Sequence, residues 1–119
     1  MKQINVKKGK DFLKEGDESK TAYLLLSGKM EVTKSLVTGQ KKIVGVINEN
    51  SMFGELGLID KKPRFTTYRA LEDSVVTEIY KEGQIEELVH SNPKALLAIV
   101  KVLSNRLRST LEVIERQEV

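Results

Sequence analysis

Residues 53 to 70 read Phe53-Gly54-Glu55-Leu56-Gly57-Leu58-Ile59-Asp60-Lys61-Lys62-Pro63-Arg64-Phe65-Thr66-Thr67-Tyr68-Arg69-Ala70. Two glycines flank an acid, and an arginine follows across a short loop. This set suits a small phosphorylated sugar. Gly54 and Gly57 let backbone N–H groups come close to an anion, and a short helical turn opening here points its positive end at a phosphate. Glu55 is an acceptor for a sugar hydroxyl, and Arg64 offers a fork of donors that pairs with two phosphate oxygens at once. Read alone, the same residues also fit a glycine-containing turn closed by a Glu55–Arg64 salt bridge, with no ligand at all.

The elements that must position this stretch are short strands. From residue 1 to about residue 80 the apolar residues come in brief runs, among them Tyr23 to Leu26, Met30 to Val32 and Ile43 to Ile47, interrupted by Gly9, Gly16, Gly28 and Gly39. That rhythm predicts an antiparallel β-roll or jelly-roll sandwich. After Tyr80 the texture changes. Ile85, Leu88 and Val89 fall at helical spacing, and Ser91-Asn92-Pro93 supplies a cap and a first helical residue for a second helix that runs without Gly or Pro to about Gln117. The expected fold is therefore mainly β with C-terminal helices, one domain over residues 1–119, with the roll over 1–80 and the helices over 81–119.

The chain has 119 residues and a formal charge of +3, 39% of it hydrophobic and 31% charged. That is enough for one hydrophobic core, and the composition is that of a folded globular protein. Without cysteine there is neither a disulfide framework nor a thiolate metal site, and a reducing cytoplasm is the expected setting. No apolar run approaches a membrane span or a signal-peptide core. Lysines and acids alternate along the chain, so the basic balance reads as a solvated surface and not as a nucleic-acid footprint.

The order Phe53-Gly54-Glu55-Leu56, then Pro63-Arg64, then a Thr67–Arg69–Ala70 tail resembles the phosphate-binding cassette of the cyclic-nucleotide-binding domain family. The resemblance spreads over most of the chain. Asp11 to Asp17 is similar to the family's opening strand and turn, Tyr23 to Gly28 to its second strand, Lys42 to Phe53 to the strand pair before the cassette, and the helix from Asn92 to the central helix of the bacterial activators. It implies that Glu55 binds the ribose 2′-hydroxyl, Arg64 the cyclic phosphate, and that the backbones of Gly54, Leu56, Phe65 and Thr66 complete the cradle. It also implies that Thr110 meets the adenine. Two departures stand out. Asn50 occupies a turn position where many members have glycine, a conformation asparagine also enters. Phe65 lacks the hydroxyl that serine or threonine brings after the arginine, and strand alternation turns Thr66 away from compensating, which favours cyclic AMP over cyclic GMP.

Other chemistries find little material. His90 is the sole histidine, so a metal-binding cupin cannot be assembled, and the residue reads as a cation at a helix C-terminus. Neither a nucleophile elbow nor a set of catalytic metal ligands is present. The expected protein is a non-enzymatic sensor with a cyclic nucleotide as ligand and no further cofactor or metal, signalling to an effector through its C-terminal helix. A degenerate module of the same fold without a ligand is the competing expectation. Leu96, Val100, Leu103, Leu107, Thr110 and Ile114 recur at alternating four- and three-residue steps, the pattern of a two-stranded seam, so a homodimer through the long helix is expected. Arg106, Arg108 and Arg116 read as that helix's solvated face, without direct DNA contact.

Overall fold

The structure is a computed structural model that describes residues 2–117. The chain divides into two compact units, Met1–Gly83 and Gln84–Val119.

The first unit is a sandwich of two antiparallel four-stranded sheets. In chain order the strands are β1 Gln3–Val6, β2 Asp11–Leu13, β3 Thr21–Ser27, β4 Met30–Ser35, β5 Lys41–Ile47, β6 Met52–Phe53, β7 Thr67–Ala70 and β8 Ser74–Lys81, with a short helix α1 over Leu56–Asp60 between β6 and β7. One sheet has the order β1-β8-β3-β6 and the other β2-β7-β4-β5. The strand that the sequence places up to Tyr80 continues one residue further, to Lys81.

The two inner faces supply one core, formed by Val6, Leu25, Met30, Val32, Ile47, Phe53, Tyr68, Ala70 and Val76. Alternation decides which side chains reach it: in β4, Met30 and Val32 are buried and Glu31 between them is not. A register shift against β5 after Val32 then turns Thr33 inward as well. β7 is the strand that matters for the cassette, because it pairs with β4 from Met30↔Ala70 to Thr33↔Thr67 and so ends the cassette against the middle of its sheet.

The second unit consists of α2, Gln84–Ser91, and α3, Pro93–Gln117, which pack on each other. The break between them follows from local chemistry. Pro93 has no N–H to extend α2 but suits the first position of α3, and Asn92 Oδ1 accepts the Ala95 N–H at 3.3 Å. His90 lies in the last turn of α2. On α3, Leu96 and Leu103 are partly buried, whereas Val100, Leu107, Leu111 and Ile114 are exposed.

Candidate anion site in the β6–β7 segment

The segment between β6 and β7 is folded around two buried charged residues. Glu55 is 1% exposed and Arg64 7%. Gly54 precedes them at φ +76°, a left-handed conformation that side chains rarely adopt, and a Cβ there would stand 2.6 Å from Arg64 Nη1. Glycine is thus required twice, by the turn and by the guanidinium lying against the backbone.

Arg64 is held by two carbonyl oxygens from different parts of the chain. Nη1 donates to Gly54 O at 2.9 Å and Nη2 to Thr21 O, at the start of β3, also at 2.9 Å. The guanidinium therefore ties the opening of the cassette to the sheet, and the Tyr23 ring lies 5.9 Å from it. Tyr23 is itself fixed by aromatic contacts with Phe12 and Phe53, at centroid separations of 4.8 Å and 5.8 Å. Both of these hydrogen bonds go to neutral carbonyls, while the carboxylates of Asp17 and Glu55 act on the guanidinium through their charge. Burial pushes the guanidinium below its usual value, against the opposing pull of Tyr23, Tyr68, Asp17 and Glu55. A guanidinium carries five N–H donors, so two carbonyl bonds leave capacity for an anion.

Glu55 is the N-cap residue of α1, although its side chain makes no capping bond. It is engaged within the chain. Its carbonyl accepts the Leu58 N–H at 3.1 Å, which starts the helix. α1 stops after one turn because Lys61 enters the left-handed region at φ 62° and donates to Gly57 O at 3.0 Å. Leu58 is buried and anchors this turn, whereas the Leu56 side chain is exposed, which leaves only the Leu56 backbone for the role the resemblance implies.

Gly57 has a packing reason of its own. The space beside it is taken by Ser19, which a Cβ would strike, and by Lys62 O, which would lie 2.6 Å away. Its lack of a side chain serves close packing of α1 on the segment before β3. Asn50 adopts φ 66°, the left-handed conformation expected of it.

After Arg64 the chain alternates sharply in exposure. The Phe65 side chain is 62% exposed, Thr66 is partly buried, and Thr67 is buried with Oγ1 accepting the Glu15 N–H at 3.0 Å. The inward hydroxyl in this stretch thus belongs to Thr67, and it is committed to the β2–β3 turn. Arg64 is framed by that same turn, since Gly16 N–H donates to Arg64 O and Arg64 N–H to Asp17 O, both at 2.8 Å.

Gly54, Glu55, Leu56, Arg64, Phe65 and Thr66 are therefore gathered in one segment of the first unit. Thr110 lies on α3 in the second unit, exposed, with its hydroxyl donating to Arg106 O at 2.9 Å. Thr21 and Tyr23 were missed as partners of the arginine, because nothing in a strand sequence signals which carbonyl a distant side chain will reach. Among the described residues no group of three or more His, Asp or Glu is placed to hold a metal ion, and no helix is long and apolar enough to cross a membrane.

A family model described as "Cyclic nucleotide-binding domain" matches residues 3–92. The Cyclic AMP receptor protein of Thermus thermophilus is 27% identical over 100 residues, covering 84% of this chain and 46% of that protein. Patatin-like phospholipase domain-containing protein 6 of Pongo abelii is 23% identical over 110 residues, 92% of this chain and 8% of that protein. The chain thus spans less than half the length of these relatives. The crystal structure of the Thermus thermophilus catabolite activator protein superposes with a TM-score of 0.82 at 22% identity, over 98% of this chain and 55% of that one.

Proposed function

This chain belongs to the cyclic nucleotide-binding domain family, and we propose that it captures one cyclic nucleotide as a regulatory sensor and carries no catalysis of its own. The observation that carries this reading is Arg64: a buried cation whose hydrogen-bond partners are two neutral carbonyls, with donors remaining for a phosphate. Burial strips water from the guanidinium, and a cyclic phosphate adds a charge-assisted pair to the pull of Asp17 and Glu55. Glu55 receives the ribose 2′-hydroxyl, and the backbones of Gly54, Leu56, Phe65 and Thr66 close the cradle.

Cyclic AMP is preferred to cyclic GMP. Phe65 brings no hydroxyl to the phosphate edge, and Thr110, whose hydroxyl hydrogen goes to Arg106 O, keeps its oxygen as an acceptor for the adenine amino group. Ligand binding is read out by the two-helix unit, with the break at Asn92 as the hinge, and the output passes to an effector beyond this chain. Exposed Val100, Leu107, Leu111 and Ile114 on α3 support a homodimer through that helix. The setting is the cytoplasm, and this chain itself contacts no DNA. Calorimetric titration with both nucleotides tests the reading, and a chain that binds neither would be an interaction module of the same fold.

A further inference from the structure

Three side chains from three different segments meet beside the cassette. Lys34 Nζ, from β4, lies 2.8 Å from Glu15 Oε2 and 4.0 Å from the centroid of the Phe65 ring. The other carboxylate oxygen of Glu15 accepts the Ser35 N–H at 3.0 Å. Lys34 and Glu15 side chains are only 28% and 26% exposed, so water screens the pair less than an ordinary surface bridge.

The cluster continues into main chain that matters for ligand. Glu15 N–H is bonded to Thr67 Oγ1 at 3.0 Å, and the next two residues of the turn hold both backbone groups of Arg64, with Gly16 N–H donating to its carbonyl and Asp17 O accepting its N–H. A closed circuit results: Phe65 to Lys34, Lys34 to Glu15, the Glu15–Asp17 turn to Arg64, and Arg64 back to Phe65 through the peptide bond. The arginine side chain is fixed by Gly54 and Thr21. Its backbone is fixed by this circuit.

We infer that Lys34 is a positioning residue for the anion cradle: paired with Glu15 and seated on Phe65, it holds the Arg64–Thr66 main chain in the shape that receives the phosphate, without touching the ligand. This role rests on the reading of Arg64 as the phosphate residue. It also assigns Phe65 a purpose, as an outward ring that a cation can grip, at a position where a hydroxyl would have no such hold.

The test uses the full chain, with K34M, K34R, E15Q, F65L and the K34M/F65L double variant, titrated with cyclic AMP, and with amide exchange followed at Gly16 and Arg64 in the free protein. K34M and F65L should each weaken binding about five-fold, from the worth of a partly buried ion pair and a cation–π contact. The double variant should lose less than the product of the two single effects, because both break one circuit. Exchange at the Gly16 and Arg64 amides should rise in K34M, and K34R should bind within about two-fold of the parent.

E15Q separates this role from a direct contact. A positioning lysine predicts weaker binding in E15Q, whereas a lysine that is freed to reach the phosphate would make binding tighter and overturn the proposal. K34M binding and exchanging as the parent does, or single effects that multiply in full, would also overturn it. A parent chain that binds no cyclic nucleotide would overturn the functional reading and this role with it, a result distinct from a binding parent with an indifferent K34M.

Discussion

The Arg64 guanidinium donates to the carbonyl oxygen of Gly54 at 2.9 Å, and a Cβ on Gly54 would lie 2.6 Å from the same nitrogen. The two residues are ten positions apart in sequence and interlock in space, so the glycine and the arginine at the two ends of the cassette constrain each other. Gly54→Ala should therefore lose both a relaxed turn and the seat of the guanidinium. Left-handed strain alone costs about 1–2 kcal/mol, and displacement of Arg64 should weaken ligand binding beyond that. Thermal melts and cyclic AMP titration of the variant check the two parts separately.

Arg64→Ala should nearly abolish binding. A phosphate deprived of its charge-assisted partner loses roughly 2–5 kcal/mol, about 30-fold to several thousand-fold in affinity. It should also lower stability, since the carbonyls of Gly54 and Thr21 lose their donor. Arg64→Lys keeps the charge but cannot span both carbonyls, so it should fold better than the alanine variant and still bind more weakly than the parent. Parent-like affinity in Arg64→Ala would contradict the assignment.

Glu55→Gln should cost about 1–3 kcal/mol of binding, because one sugar hydrogen bond weakens and no phosphate charge is stranded. Titration with 2′-deoxy cyclic AMP gives the complementary result: the parent should lose affinity for it, and Glu55→Gln should discriminate less between the two ligands.

The Glu15 carboxyl is held below its usual value by the hydrogen bond with Lys34 first and by the Ser35 N–H second. A carboxylate lowered in the folded state binds fewer protons there than when unfolded, so its contribution to stability is complete above the ordinary carboxylate value and is lost as pH falls through the lowered one. Melting temperatures of Glu15→Gln and the parent should therefore converge on the acid side and separate towards neutral pH. Curves that stay parallel across that window would show that Glu15 is not coupled to folding.

Sedimentation at micromolar concentration should show a dimer, and Leu107→Glu with Ile114→Glu should convert it to monomer without unfolding, since both side chains are exposed on α3. A monomeric parent, with and without ligand, would limit Thr110 to a contact within one chain.

Much of the site was legible because its chemistry is local. Gly54, Glu55 and Arg64 lie within one short stretch, so the sequence alone brings them together before any fold is known. Asn50 in the left-handed region and the start of α3 at Pro93 were legible for the same reason, each set by a single residue's conformational preference. What was not legible depends on pairing between distant strands. Thr21 reaches Arg64 across 43 positions, and Lys34 meets Phe65 only because β4 pairs with β7. Gly57 shows the limit of reading residue type: the glycine was singled out, but its neighbour Ser19, which explains it, comes from another segment. Lys61 in the left-handed region had no signal at all, since lysine has no preference for that conformation.

The most direct measurement is isothermal calorimetry of the full chain with cyclic AMP and, in parallel, cyclic GMP. One site per chain, saturable by cyclic AMP, weaker for cyclic GMP and abolished by Arg64→Ala, is the result expected of a buried arginine held by carbonyls and open to a phosphate. No heat with either nucleotide, from protein shown to be folded by its melting transition, would contradict it.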